Sequence, residues 1–284
     1  MTKKSEFHYG LTPYLNCKDY LVSNETYEVM ISNKYDILVT SPVPLNLNKY
    51  YNSKAYTSHT DSKKKLIDYL YQIIKKISIK KKYNLIKGFH TQNKILDIGA
   101  GTGDFLHFFK SKGWNVFGIE PNFEARKLAE KKGVYLKETI HSCQKEIFDV
   151  VTMWHVLEHV PNLSEYIETL SQIVSNEGIL FIAVPNFKSY DAHYYKEYWA
   201  AYDVPRHLWH FSQKGIEQLF KKVKMKIVKT YPLKFDSYYV SLLSEKNKTN
   251  KQNLFKALLN GWKSNRKARK NSEYSSIIYV IKKQ

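Results

Sequence analysis

The chain has little cysteine, little arginine and no long apolar run, and each shortage removes a class of protein. Two cysteines in 284 residues, Cys17 and Cys143, make no disulfide framework of the kind small secreted domains use. No stretch of about eighteen apolar residues is present, so no transmembrane helix is expected. The stretch Met1 to Tyr9 lacks the apolar centre of a signal peptide, which points to a cytoplasmic chain. Glycine is sparse too, at 11 residues, so where glycines cluster the clustering carries information.

The charge balance is lopsided: 45 Lys+Arg against 26 Asp+Glu give a formal net charge of +19. Such an excess suggests a nucleic-acid partner. Yet the only arginines are Arg126, Arg206, Arg266 and Arg269, and base and phosphate recognition favours the bidentate guanidinium. A lysine-rich solvated surface accounts for the excess more simply. Two clusters, Lys63-Lys64-Lys65 with Lys80-Lys81-Lys82 and the run from Lys263 to Lys270, leave a polyanionic or peripheral membrane-surface partner open.

The most informative stretch is Ile95-Leu96-Asp97-Ile98-Gly99-Ala100-Gly101-Thr102-Gly103-Asp104-Phe105-Leu106. An apolar run ends in an acid, three alternating glycines follow, and an amphipathic helix begins. Glycines without a Cβ let backbone approach a ligand, and the helix start behind them offers free N–H groups. The dinucleotide fingerprint G-x-G-x-x-G is excluded because its third glycine position holds Asp104, and a phosphate-binding P-loop is excluded because no Gly-Lys-Ser/Thr follows. Downstream, Asn115-Val116-Phe117-Gly118-Ile119-Glu120-Pro121-Asn122 reads as a second strand ending in a carboxylate able to accept two hydroxyl protons. Phe148 to Trp154 and Gly178 to Asn186 read as two more strands, apolar without alternation, as parallel strands buried on both faces are. Helical stretches at Phe105–Lys112, Phe123–Lys132 and Leu163–Ser175 lie between them, which argues a doubly wound α/β sheet with ligands at the carboxyl ends of its strands. Met225 to Tyr231 and Ser275 to Ile281 read as the final strands.

This ordered set resembles the class I S-adenosylmethionine-dependent methyltransferases, over roughly residues 90 to 235 with a last strand near the C-terminus. The resemblance implies a Rossmann-like α/β fold with a doubly wound seven-stranded sheet whose last strand is antiparallel. It implies S-adenosyl-L-methionine as cofactor, Glu120 on its ribose, and a cofactor shell of Asp97, Gly99, Ala100, Gly101, Gly103, Glu120, Pro121, Trp154 and His155. The expected organisation is a small β appendage over 1–60, a helical cap over 61–90 and the catalytic domain over 91–284, with a helical insertion at about 236–272.

The appendage would contain a hairpin of Tyr27–Ile31 and Tyr35–Thr40 around Ser32-Asn33-Lys34, broken by Ser41-Pro42-Val43-Pro44. Related bacterial enzymes carry a zinc ribbon with two C-x-x-C knuckles here. This chain has Cys17-Lys18-Asp19-Tyr20 and then Ser32-Asn33-Lys34-Tyr35, and one cysteine cannot hold tetrahedral zinc. In the cap, Leu66, Leu70, Ile73, Ile74 and Ile77 share a helical face, and Tyr50-Tyr51 and Tyr56-Thr57-Ser58-His59 lie just upstream as candidate pocket residues.

Two segments bear on chemistry. His155-Val156-Leu157-Glu158-His159 matches H-x-x-E-H, an inverted zinc-peptidase signature, but that motif needs a continuous helix and this stretch follows a strand directly. It resembles instead the L-E-H-V element of ubiquinone-type O-methyltransferases, some of which hold a divalent metal on E-x-x-E-H. His155 replaces the first glutamate, so no metal is assigned. His159 and His155 are candidate bases, and a purely orienting role for Glu158 and His159 stands beside that reading. The aromatic stretch Tyr194 to Ser212 contains Asp203-Val204-Pro205-Arg206-His207-Leu208-Trp209-His210-Phe211-Ser212, similar to a D-x-P-R-H-x-x-x-F-S element of small-molecule methyltransferases. Arg206 is a candidate anchor for an anionic substrate, with His207 and His210 as candidate bases. The alternative is an Arg206–Asp203 pair anchoring a lid. Ser212 is the expected N-cap of the next helix.

The function implied is methyl transfer from S-adenosyl-L-methionine to a small-molecule acceptor at oxygen, nitrogen or carbon. An RNA or membrane-associated acceptor and a non-catalytic cofactor-binding protein remain as alternatives. No Asn/Asp-Pro-Pro-Tyr-type element follows the strand that ends in Trp154-His155, which counts against a nucleic-acid base as acceptor.

Overall fold

The computed structural model describes residues 6–51, 65–89, 93–143 and 145–284, without the side chains of residue 48 and residues 65–74. Tyr56–His59, Lys63, Lys64 and the boundary near residue 60 lie outside the described residues, as do the side chains of Lys65, Leu66, Leu70, Ile73 and Ile74.

The main sheet joins β4 (Lys94–Ile98), β5 (Asn115–Ile119), β6 (Phe148–Trp154), β7 (Val174–Pro185), β9 (Met225–Pro232) and β10 (Ser276–Lys283) in the order β5-β4-β6-β7-β10-β9. The pairings among β4, β5, β6 and β7 are parallel, and β10 is antiparallel to both β7 and β9. The antiparallel last strand agrees with expectation. The strand count does not: six strands are present among the described residues rather than seven. At the β5 edge the seventh is reduced to one parallel bridge between Ile119 and Lys137. The bonds Lys137 N–H to Gly118 O (2.9 Å) and Glu120 N–H to Lys137 O (2.9 Å) hold it there.

The apolar strands pack on both faces, as their unalternating sequences require. Ile95, Val150, Ile179 and Phe181 are buried in one cluster, and Leu96, Val151, Leu180 and Ile182 in another. Asp97 and Thr152 sit opposite one another in the register of β4 and β6, so a buried carboxylate interrupts this apolar sheet near its carboxyl edge. Helices α3 (Asp104–Lys110), α4 (Phe123–Glu130) and α5 (Leu163–Ile173) fill the connections. The Asn122 side chain caps α4, and that of Asn162 caps α5.

The 23-residue helix α2 (Lys65–Lys87) follows the short helix α1 (Asn48–Tyr51). Its C-terminal half docks on α3: Tyr83 packs edge-on against Phe108 and Phe109, and Lys75 pairs with Asp104 at 2.6 Å. Ile77 belonged to the expected docking stripe but is half-exposed; Ile86, two turns on, is the buried one.

A second, antiparallel sheet has the order β1-β2-β3-β8, from β1 (Leu11–Lys18), β2 (Thr26–Ser32), β3 (Ile37–Ser41) and β8 (Trp209–Phe211). The expected hairpin is β2–β3. Its outer neighbour β1 was not foreseen, nor was β8, which comes from the segment after β7. Cys17 lies buried in an apolar cluster with Tyr27, Val29 and Leu38. Asp19 accepts from the backbone N–H groups of Leu21, Val22 and Ser23, so a carboxylate, not a metal knuckle, organises this turn.

After β7 come α6 (Tyr190–Tyr195), two short turns, β8 and α7 (Gln213–Lys221), whose N-cap is Ser212, accepting from Gly215 N–H at 2.9 Å. The helical insertion is an antiparallel pair between β9 and β10, α8 (Asp236–Thr249) and α9 (Leu254–Asn271). Among the described residues no helix is long and apolar enough to cross a membrane.

Candidate active site

The carboxyl ends of β4, β5 and β6 meet at one place. Beyond β4 the backbone turns sharply, with Gly99, Gly101 and Gly103 all at positive φ. Gly99 is required sterically: a Cβ there would stand 2.4 Å from Cγ2 of Val156. Gly101 is different. Its φ is +53° and an added Cβ would meet nothing within 4 Å, so this peptide faces open space. Gly99 and Ala100 N–H both donate to Ile119 O, at 2.8 and 2.9 Å, which locks the loop onto β5.

Gly101 N–H donates to Glu120 Oε2 at 2.8 Å, and Asn122 N–H donates to Oε1 at 2.9 Å. The carboxylate is thus fixed by two backbone donors and keeps lone pairs for two more. Pro121 follows, its carbonyl and that of Glu120 both accepting from Arg126 Nη1 at 2.8 Å. Asp104, where a dinucleotide fingerprint has its third glycine, accepts from Lys75, Lys132 and Thr102. Burial opposes its ionisation, but these donors outweigh burial and hold it well below the usual carboxylate range.

Asp97 is buried, and Thr152 Oγ1 donates to its Oδ1 at 2.5 Å. Burial pushes this carboxyl upward, against the opposing pull of Thr152 and Lys82. Lys82, on α2, stands 4.0 Å over the ring of Trp154. Burial pulls its ammonium downward, while Asp97 and Asp236 act to retain the proton. Lys82 belongs to a sequence cluster read as surface charge. Its helical phase with Ile79, Tyr83 and Ile86 is the signal that places it toward the sheet instead. Trp154 packs edge-on against Phe105, and its buried Nε1 has no hydrogen-bond partner.

His155 adopts φ +58° directly after β6 and makes ion pairs on both ring nitrogens, to Asp236 Oδ2 at 3.1 Å and to Glu158 Oε1 at 3.4 Å. Burial would lower its pKa, but Asp236 and Glu158 outweigh burial and raise it to about 10. The two carboxylates therefore favour the imidazolium form of His155, which weighs against its reading as a base. Leu157–His159 form a single short turn, not a continuous helix, so the H-x-x-E-H letters lack the peptidase geometry.

His159 points its Nδ1 at Arg206 O and at Tyr51 Oη, each 3.0 Å away. A carbonyl only accepts, so Nδ1 carries the proton and Nε2 the lone pair. Burial, then neighbouring His207, lowers its pKa to about 4, which keeps the ring neutral. His207 donates from Nδ1 to Ala201 O at 2.8 Å, and its ring stands 4.6 Å from that of His159. Ligand atoms of Glu158, His159 and His207 lie within 4.8 Å of one another, and both Glu158 oxygens lack hydrogen-bond partners. A divalent cation nevertheless fits poorly, because the His155 imidazolium already stands against Glu158 where the metal-binding element has its first glutamate.

Arg206 and His210 are both buried and engaged by other protein groups. Arg206 is 1% exposed; it donates to both oxygens of Asp203 (2.6 and 3.0 Å) and to Asp19 Oδ1 at 3.0 Å. It ties the segment after β7 to the turn after β1, the pairing that the lid-anchoring alternative describes. His210 is buried beside Thr40 Oγ1 at 3.0 Å, and burial lowers its pKa to about 3. Sequence reasoning missed Asp236, whose position at the start of α8 reads simply as a favourable helix-dipole charge.

Comparison with known proteins places the chain in a family. Ubiquinone biosynthesis O-methyltransferase from Actinobacillus pleuropneumoniae is 36% identical over 107 residues, 33% of this chain and 46% of that protein. The Rickettsia prowazekii protein of the same name is 34% identical over 116 residues, 38% of this chain and 44% of that protein. This chain therefore spans a little under half the length of these curated relatives. Magnesium protoporphyrin IX methyltransferase from Synechocystis, solved with bound SAH, superposes with a TM-score of 0.53 at 12% identity, covering 83% of this chain and 97% of that one. A SAM-dependent methyltransferase from Archaeoglobus fulgidus gives 0.50 at 17% identity, covering 73% and 94%. Residues 62–230 match the sequence profile of the methyltransferase domain. This profile spans more than half of the chain, which thus belongs to the methyltransferase-domain family and has the Rossmann-like fold of the class I enzymes.

Proposed function

We propose that the protein transfers the methyl group of S-adenosyl-L-methionine to a small-molecule acceptor. The observation that carries this reading is the coupling of Gly101 to Glu120: an open, left-handed peptide whose N–H holds a strand-end carboxylate at 2.8 Å. That pair suits a ribose, because a fixed carboxylate with spare lone pairs accepts from two vicinal hydroxyls. Asp97, Gly99, Ala100, Gly103, Pro121 and Trp154 complete the cofactor shell, and Lys82 adds a cation for the carboxylate of an amino-acid moiety.

The cofactor, when bound, supplies an electrophilic methyl on a sulfonium. An acceptor taking that methyl would have to give up its proton to a group of the protein. Alignment is the protein's main contribution. His159 Nε2, neutral and bearing a lone pair, is the proton acceptor we assign, with Tyr51 and Arg206 O fixing its tautomer. His207 neighbours that ring, and the His155 imidazolium keeps Glu158 ionised beside it.

The test is an isotopic transfer assay. With methyl-labelled cofactor and a size-fractionated metabolite extract, label should pass to a small product, and His159→Ala should lower the rate by about 10²–10⁴-fold. Wild-type protein that binds the cofactor but labels nothing in any extract would favour the non-catalytic alternative.

A further inference from the structure

Helix α9 is turned inside out. The face it buries is small and polar: Ala257, Asn260, Gly261, Ser264 and Ala268. Gly261 lies so close to α8 that a Cβ would stand 2.6 Å from the Tyr238 ring. Asn260 Nδ2 donates to Tyr195 Oη, and Ser264 Oγ to Asp191. The apolar residues face outward. Phe255 is 77% exposed and Trp262 47%, with Leu258 and Leu259 between them, so positions i, i+3, i+4 and i+7 form one continuous stripe. Leu254 extends it at one end. On the adjoining helix, Tyr239 of α8 and Phe235 just before it are also exposed. Folding leaves this surface in water, although burying large apolar side chains is the main force that organises the rest of the molecule.

The charge on the same helix says what would cover it. Lys256, Lys263, Arg266, Lys267, Arg269 and Lys270 are six cations, and the helix contains no carboxylate. The nearby acids turn inward: Asp191 accepts from Trp199, Ser264 and Ser275, and Glu245 from Tyr195. A second copy of the chain laid on this stripe would set like charges together. An anionic bilayer surface would not, and leucine and aromatic side chains flanked by lysine and arginine are the composition that interfacial helices use. The placement also fits. Asn265 of α9 donates to Lys234 O at 2.9 Å, and two residues later Asp236 pairs with His155 at the carboxyl edge of the sheet. The helix that carries the stripe is thus tied to the segment through which Asp236 reaches the candidate site.

We propose that the α8–α9 hairpin is a peripheral docking surface for anionic phospholipid bilayers, seating Phe255, Leu258, Leu259 and Trp262 among the acyl chains beneath the headgroups. The proposal stands apart from methyl transfer, since it concerns binding alone.

The experiment is vesicle co-sedimentation of the full chain with phosphatidylcholine vesicles, with and without a third of phosphatidylglycerol. Partition onto the anionic vesicles should be at least tenfold stronger and should weaken as salt is raised. The double variant Phe255→Ser/Trp262→Ser should lower it at least tenfold, as should Arg266→Glu/Lys270→Glu. A second readout needs no variant of the stripe: brominated phospholipids should quench tryptophan fluorescence of the wild type, and Trp262→Phe should remove most of that quenching while vesicle binding persists. Four results would overturn the proposal. These are no partition onto anionic vesicles, undiminished partition by the serine variant, a stable dimer by sedimentation equilibrium that shields Trp262 from quencher, or tighter binding to RNA than to vesicles that survives the serine changes.

Discussion

At the residue scale the site is governed by how each titratable group is surrounded. Two histidines illustrate this. His155, paired with Asp236 and Glu158, is raised to about 10 from an ordinary 6.5. A raised cationic pKa stabilises the fold fully below the unfolded value, and the contribution is lost as pH rises toward the folded one. Wild-type stability should therefore fall between about pH 6.5 and 10, and His155→Gln should flatten that decline in a series of denaturant midpoints. His159 moves the other way, to about 4. If it accepts the acceptor's proton, the acid limb of the rate profile should lie near that value, leaving activity level from about pH 8 down to 5.5. Arg206 carries the largest stability prediction. Arg206→Met leaves Asp203 and the buried Asp19 without their cation and should cost about 3–5 kcal/mol in urea unfolding. Asp97, Glu120 and the glycine loop were legible in sequence because their chemistry is local to strand ends. The role of Arg206 was not settled there, since Asp19 lies 187 residues away and a pairing at that separation leaves no spacing to read. For the same reason His155 read as a base: its charge is fixed by Asp236, on an insertion remote in sequence.

At the scale of elements, the loop between β4 and α3 is positioned by contacts on both sides. Val156, just beyond β6, fills the space a Cβ on Gly99 would need, and Ile119 O accepts the N–H groups of Gly99 and Ala100. Gly99→Ala combines a left-handed backbone cost of about 1–2 kcal/mol with overpacking of about 1–3 kcal/mol. It should lower the thermal midpoint and weaken cofactor binding together. The apolar strands β4, β6 and β7 announced themselves through unbroken hydrophobic runs. The seventh strand did not form because only Lys137 reaches the β5 edge. Strand β8 was invisible in sequence since three residues, Trp209–Phe211, become a strand only by pairing with β3.

At the scale of the molecule, a Rossmann-like sheet presents its carboxyl edge between helix α2 on one side and the segment after β7, laced to the second sheet through Arg206, on the other. The helical hairpin α8–α9 closes the third side through Asp236. Such an edge is where doubly wound sheets bind their ligands. A ligand that binds only the folded state stabilises it by about 2.7 kcal/mol at a hundred times its Kd, so saturating S-adenosyl-L-methionine should raise the melting temperature visibly. The most direct measurement is calorimetric titration of S-adenosyl-L-methionine into the wild-type chain and into Glu120→Ala. The account predicts one site in the wild type and at least a tenfold weaker Kd in the variant. No binding by the wild type, or an unchanged Kd without the Glu120 carboxylate, would contradict it.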